Sequence, residues 1–264
     1  MAAHARKLRG ASAWRWTPQR LSILEASLEI AILGGGVAAM AILIPLPLSW
    51  RGLIFAALSH ASVTILIVVG LARYAPHRHF GLANTITLCR AVFNAFLLAV
   101  AGEELLGRHI VEGSIFGWGL TAGAATALIL DGVDGWVARR SHTESVFGAR
   151  FDMETDALFI LALSLIISAS GIVGPWVLIS GLTYYLFRIA AAIWPALMAP
   201  LPPSRRRKAI CVVQAALLIV ALAPPMPALA SQLCCLVGLA LLIYSFIADT
   251  AWLIENRNCN AIRV

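Results

Sequence analysis

Long apolar runs, separated by short polar intervals, fill most of the chain. Eight of them approach the length of a bilayer crossing: about residues 22–46, 52–71, 83–102, 114–138, 153–172, 175–196, 208–223 and 231–254. A hydrocarbon core takes roughly 20 apolar residues per helix. The first run is interrupted by Gly34-Gly35-Gly36 and ends at Pro45 and Pro47, so it reads as a kinked or re-entrant helix, with seven crossings as the other count. The pattern predicts an all-α, polytopic integral membrane protein of about eight transmembrane helices.

Composition agrees. Of 264 residues 60% are apolar and 12% charged, whereas a soluble domain is about half apolar and about a quarter charged. That excludes a disordered chain, a collagen and a disulfide-rich module, and argues against a soluble globule. The five cysteines show no CxxC or Cys/His spacing and read as packing residues. Arg6, Lys7, Arg9, Arg15 and Arg20 precede an apolar stretch too long for a signal peptide.

The net charge of +7 bears on topology. Of 20 Lys and Arg, 16 fall on one side of the predicted spans, only Arg51 and Arg108 on the other, and Arg90 and Arg188 inside. Cytoplasmic loops carry excess Lys and Arg, so both termini and the 139–151 loop are expected to face the cytoplasm. Trp14, Trp16, Trp50, Trp118, Trp176, Trp194 and Trp252 sit near predicted span ends, as interfacial anchors do. The basic residues are spread over separate loops, which argues against nucleic acid. The most basic loop, Pro200 to Lys208, reads as a topology determinant that also meets anionic headgroups.

Four of the five aspartates lie within 26 residues: Asp131, Asp134, Asp152 and Asp156. An acid at the centre of a membrane helix costs about 2.5–3.5 kcal/mol on insertion scales, and less near the interface, so four need a compensating positive charge. Asp131 and Asp134 are i,i+3 on one helix, and Asp152 and Asp156 are i,i+4 on the next, so each pair shares a face. The short link makes the two helices antiparallel neighbours, and the four carboxylates converge. All-oxygen ligation favours Mg²⁺ or Mn²⁺ over zinc, and four carboxylates suit two divalent cations about 3.5–4 Å apart. Gly135, Ala138 and Gly148 leave room beside the acids, and Arg139 offers a phosphate-binding fork. Any one glycine by itself would read as a helix-packing residue.

The string Asp131-Gly132-Val133-Asp134-Gly135-Trp136-Val137-Ala138-Arg139, eight residues, Gly148, three residues, Asp152, three residues, Asp156 resembles the signature of the CDP-alcohol phosphatidyltransferase family. The resemblance implies a six-helix membrane core within residues 81–264, with residues 1–80 as a basic N-terminus and two additional membrane helices. It implies that Asp131, Asp134 and Asp152 bind two divalent cations, and that Asp156 touches one of them and acts as general base. Gly135 and Arg139 match positions that contact the CDP-linked donor, within the signature that also holds Ala138 and Gly148. Ser145 falls where members often have a hydroxyl that contacts the donor. Asn84-Thr85-Ile86-Thr87-Leu88-Cys89-Arg90 resembles the family's Asn-x-x-Thr-x-x-Arg stretch, so Asn84 and Thr87 would face the nucleotide and Arg90 would balance the negative charge.

The implied reaction moves a phosphatidyl group from CDP-diacylglycerol to an alcohol, with release of CMP, at a bacterial-type cell membrane by an enzyme that forms homodimers. Met153-Glu154-Thr155 stands where many members have a small residue or proline, which leaves the acceptor open; Glu154 is expected to point away from the metals. Glycerol 3-phosphate, an inositol phosphate, serine and other amino alcohols are candidates. Abundant arginine favours a phosphorylated one, with Arg90, Arg150, Arg188 and Arg205 as possible contacts. Arg188 has two further readings, pairing with Asp249 and snorkelling. The alternative within the class is a CDP-choline or CDP-ethanolamine enzyme acting on diacylglycerol. Outside it stands a cation-coupled transporter, which would want acids at the midplane and pseudo-symmetric halves. His77-Arg78-His79 reads as an interfacial cap. Glu25 and Glu29 share a face of the first span, lining a contact with the core or sitting near the interface.

Overall fold

The computed structural model describes residues 25–27, 29–31, 34, 49–74, 80–111, 115–141, 144–194, 197, 202 and 204–255. Most of the first predicted span, the basic segment 1–20 and His77-Arg78-His79 lie outside the described residues. The rest is helical: α1 (Trp50–Tyr74), α2 (Leu82–Leu105), α3 (Ile115–Arg140), α4 (Val146–Ala169), a 3-10 turn (Pro175–Val177) leading into α5 (Leu178–Ile193), α6 (Arg205–Leu222) and α7 (Ala228–Glu255). Among the described residues there is no strand.

Length and apolarity sufficient to cross a bilayer are combined in α2, α3, the Pro175–Ile193 stretch and α7. The helices α4 and α6 carry charge in their first turns: Arg150, Asp152, Glu154 and Asp156 on the one, Arg205 to Lys208 on the other. The chain is therefore an all-α polytopic membrane protein. One boundary departs from expectation: α4 begins at Val146, seven residues before the predicted start at 153. Ser145 causes this. Its backbone is extended (φ −143°, ψ 154°) and its Oγ accepts from the Gly148 N–H at 2.9 Å, satisfying a donor that the first turn leaves free.

The central helix is α2, which packs against α1, α3 and α4. One apolar cluster joins the C-terminal halves of α2, α4 and α6 to the N-terminal halves of α3 and α7, through Leu97, Val100, Leu120, Ala124, Leu163, Ile166, Leu218 and Cys235. The opposite half of the bundle is left for polar side chains. In lipid, burial of apolar surface drives helix association weakly, and close backbone approach with dense packing takes over. At Gly181 an added Cβ would stand 2.6 Å from Leu161 Cα and 2.5 Å from Ser164 Oγ, so α5 lies against α4 only because that atom is missing.

The end of α2 remote from the aspartates buries two adjacent acids. Glu104 Oε1 accepts from Val111 N at 2.9 Å, and Glu103 accepts from Ser49 N and stands 3.3 Å from Arg108. Both tie loops to the helix end.

Gly181→Val forces backbone movement, since its neighbour is a main-chain atom, and should cost about 1–3 kcal/mol. Thermal unfolding in detergent would show it; an unchanged midpoint would contradict the close α4–α5 contact.

Candidate active site

A polar stripe runs along α2 at helical spacing: Asn84, Thr87, Arg90 and Asn94. Thr87, Arg90 and Asn94 are all buried. Asp131 and Asp134 face this stripe from the last turns of α3, and Asp152 and Asp156 from the first turns of α4.

The Arg90 guanidinium meets all four. Its Nη1 donates to Asp134 Oδ2 and Asp152 Oδ1, each at 2.9 Å. Its Nη2 lies 2.8 Å from Asp131 Oδ1 and also donates to Asp156 Oδ1. Thr87 Oγ1 stands 3.0 Å from Asp134 Oδ2 and 3.1 Å from the Ala83 carbonyl, so its single proton serves one at a time. Asn94 donates to the Thr155 carbonyl at 2.8 Å, which fixes the turn of α4 carrying Asp156. A planar, five-donor fork can address several carboxylates at once in fixed directions.

Exposure is graded across the quartet. The Asp134 side chain is 4% exposed, Asp131 19%, Asp156 27% and Asp152 40%. The cluster is therefore closed at Asp134 and open at Asp152.

One guanidinium among four carboxylates leaves a strong excess of negative potential. Asp131, Asp152 and Asp156 each bring an oxygen within 4.8 Å of the others'. Asp134 Oδ1 is buried with no hydrogen-bond partner. Buried polar atoms are ordinarily satisfied; the three converging oxygens of Asp131, Asp152 and Asp156 suit a hard divalent cation, whose preferred ligand is oxygen, and Asp134, held on the same guanidinium, stands outside that trio.

The remaining predicted residues form a rim. At Gly148 an added Cβ would lie 3.0 Å from Asn84 Oδ1 and 3.2 Å from Ser145 Oγ, so these three are neighbours. Asn84 also donates to the Phe80 carbonyl at 2.5 Å. At Gly135 a Cβ would stand 3.3 Å from Arg139 Nη1: the guanidinium folds back over the glycine, one turn from Asp131. Ala138 is half-buried beside it. Among the described residues no ion pair joins Arg139 to the aspartates.

A family model for CDP-alcohol phosphatidyltransferase matches residues 80–247. The chain belongs to the CDP-alcohol phosphatidyltransferase family. No curated protein and no solved structure matches it. Membership makes it a membrane transferase of phospholipid biosynthesis, which moves a phosphatidyl group between a CDP-alcohol and an acceptor, in a family that uses divalent metal. The match takes in all four aspartates and the stripe of α2, and α1 precedes it.

Pairing of Arg188 with Asp249 is overturned. Arg188 Nη1 lies 2.8 Å from Glu154 Oε1 and 3.2 Å from the Tyr184 hydroxyl, which itself donates to Glu154 at 2.8 Å. Asp249 is taken by Arg206 at 2.6 Å and Arg207 at 3.6 Å. Glu154 thus turns toward α5, away from the quartet as expected. Two contributions went unread in the sequence. Asn94 continues the 84, 87, 90 stripe by i+4 and was visible as periodicity; the Glu154–Tyr184–Arg188 group had no local signal.

Arg90→Met leaves four carboxylates facing one another without their cation. Removing one partner of a buried ion pair costs about 3–5 kcal/mol, so the variant should unfold well below the parent. Arg90→Lys, a point charge in place of a fork, should regain part of the stability and little of the turnover. Parent-like melting of Arg90→Met would contradict the role assigned to this side chain.

Proposed function

We propose that the protein transfers the phosphatidyl group of CDP-diacylglycerol to a phosphorylated polyol, with glycerol 3-phosphate as the simplest candidate, and releases CMP. The observation that carries this reading is the convergence of Asp131, Asp134, Asp152 and Asp156 around Arg90, inside the segment that the family model covers.

The four aspartates would hold two divalent cations, Mg²⁺ or Mn²⁺. When bound, such a pair neutralises the pyrophosphate and the leaving oxygen. The protein's own groups do the rest. An alcohol is a poor nucleophile until it loses its proton, and Asp156 takes that proton as the acceptor oxygen bonds to phosphorus and the bond to the CMP oxygen breaks. Its partial exposure gives the acceptor access. Gly135, Ala138 and Gly148 let the donor approach the backbone, and Arg139 supplies a fork for the pyrophosphate. Asn84 faces the nucleotide, and Thr87, buried against Asp134, lines the cluster behind it. The Ser145 oxygen accepts from Gly148 N, which leaves its O–H to donate to the donor.

A phosphorylated acceptor is supported by the exposed cations at this end of the bundle: Arg139 and Arg140 closing α3, Arg150 in the first turns of α4, and Arg205 and Lys208 opening α6. Arg188, engaged by Glu154, is a weaker candidate than Arg205. The one-sided distribution of Lys and Arg supports a cytoplasmic site at a bacterial-type cell membrane, where the lipid tails stay in the bilayer and the water-soluble acceptor arrives from the cell interior. Residues 1–80 are read as an extension and 81–264 as the catalytic core.

Purified protein should release CMP from CDP-diacylglycerol only when a phosphorylated polyol is supplied, with a matching phosphatidyl product on lipid chromatography. CMP release from CDP-choline or CDP-ethanolamine with diacylglycerol would reverse the donor assignment, and cation flux without CMP would point to a transporter. Asp156→Asn should lose turnover while retaining much of its donor affinity; full activity would remove it as the base. EDTA should stop the reaction and Mg²⁺ or Mn²⁺ restore it; undiminished turnover in metal-free buffer would defeat the metal assignment.

A further inference from the structure

The polar end of α2 begins without a cap of its own. Gly81 stands before it at φ 85° with no side-chain hydrogen bond, and its first turn contains no acid. The first N–H groups of a helix have no intrahelical partner and carry the positive end of its dipole. The N-terminal segment brings acids to this positive end without bonding a first-turn N–H: Glu25 Oε2 accepts from Phe80 N, two residues before the helix, at 2.8 Å, and Glu29 Oε2 lies 2.7 Å from the Thr85 hydroxyl, which is also 3.2 Å from the Gly81 carbonyl. The two glutamates are i,i+4. Beside them Ala26 and Ile30, also i,i+4, are buried in one apolar cluster with Phe80, Leu88, Ala91 and Val92 of the α2 end and Phe147 and Phe151 of α4. This cluster lies at the level of the aspartates, apart from the main core.

We infer that Glu25 and Glu29, which precede the family-matched segment, are positioning residues for the donor-binding end of α2. Further along α2, Arg90 is held by four carboxylates and Asn94 by α4. Of the turns before Arg90, Thr87 is tied to Asp134 of α3 at 3.0 Å, whereas the first turn, with Asn84 bonded to the Phe80 carbonyl, is tethered by the glutamates and the small apolar cluster. Releasing the glutamates therefore shifts Asn84 while leaving Thr87 and Arg90 in place. The inference rests on reading Asn84 as a nucleotide contact. A loss of binding that is equal in ground and transition states raises KM and spares kcat.

The test uses the full chain and the donor that supports CMP release in the parent, so a wrong donor assignment appears in the parent and not in the variants. Thr85→Val removes the hydroxyl and keeps the shape; Glu29→Ala removes its partner. Each should raise KM for the donor about tenfold with kcat nearly unchanged, the double variant should be no worse than either single one, and Thr85→Ser should restore the parent KM. Unchanged KM in both single variants, effects that multiply in the double variant, or failure of Thr85→Val to fold would each overturn the inference.

Discussion

A single guanidinium shared by four carboxylates is the constraint around which this membrane bundle is arranged. Arg90 is almost fully buried, and each of its terminal nitrogens faces two aspartates from different helices. Charges of this kind are expensive to take from water and are tolerated where geometry lets them compensate one another. The arrangement requires α2 to run against both α3 and α4 with its polar stripe inward. The turn of α3 that ends the membrane crossing and the turn of α4 that starts the next must stand side by side. The compensation is partial, and the remaining negative potential is what would suit the cluster to divalent cations.

The rest of the fold divides the labour. The halves of the helices remote from the aspartates are packed through aliphatic side chains and close contacts such as Gly181 against α4. The polar halves are held by directional bonds: Asn94 to the Thr155 carbonyl, Ser145 to the first turn of α4, and Glu25 and Glu29 to the start of α2. This separation lets one end stay open, with Asp152 accessible, without loosening the packing beneath it. This polarity of structure suits the proposed reaction, in which the donor is anchored in lipid and the acceptor is dissolved in water.

Much of this was legible in the chain. Apolar runs located the helices, because a bilayer tolerates few other patterns. The i,i+3 and i,i+4 spacing of the aspartates put each pair on one face, and the short link brought the pairs together. The early start of α4 was missed because Arg150 and Asp152 break the apolar run, whereas a serine cap and interior contacts sustain the helix through them. The partner of Arg188 was misread for a different reason. Asp249 and Glu154 are both acids near its predicted depth, and only the rotation of α5 decides between them. Glu103 and Glu104 fall just past the predicted span 83–102, and nothing local signals that N–H groups of Ser49 and Val111 will return to them. For the first span, the shared face of Glu25 and Glu29 left two readings open, and the bonds to Phe80 and Thr85 place that face against the core.

The account stands or falls on whether the aspartate quartet captures divalent ions. Titrating the purified, metal-stripped protein with Mn²⁺, read by electron paramagnetic resonance, measures this without reference to turnover. The account predicts two ions bound per chain, with the spectral signature of magnetic coupling between neighbours, and loss of that signature in Asp152→Asn. A protein that binds no Mn²⁺, or binds it equally well after that substitution, would contradict it.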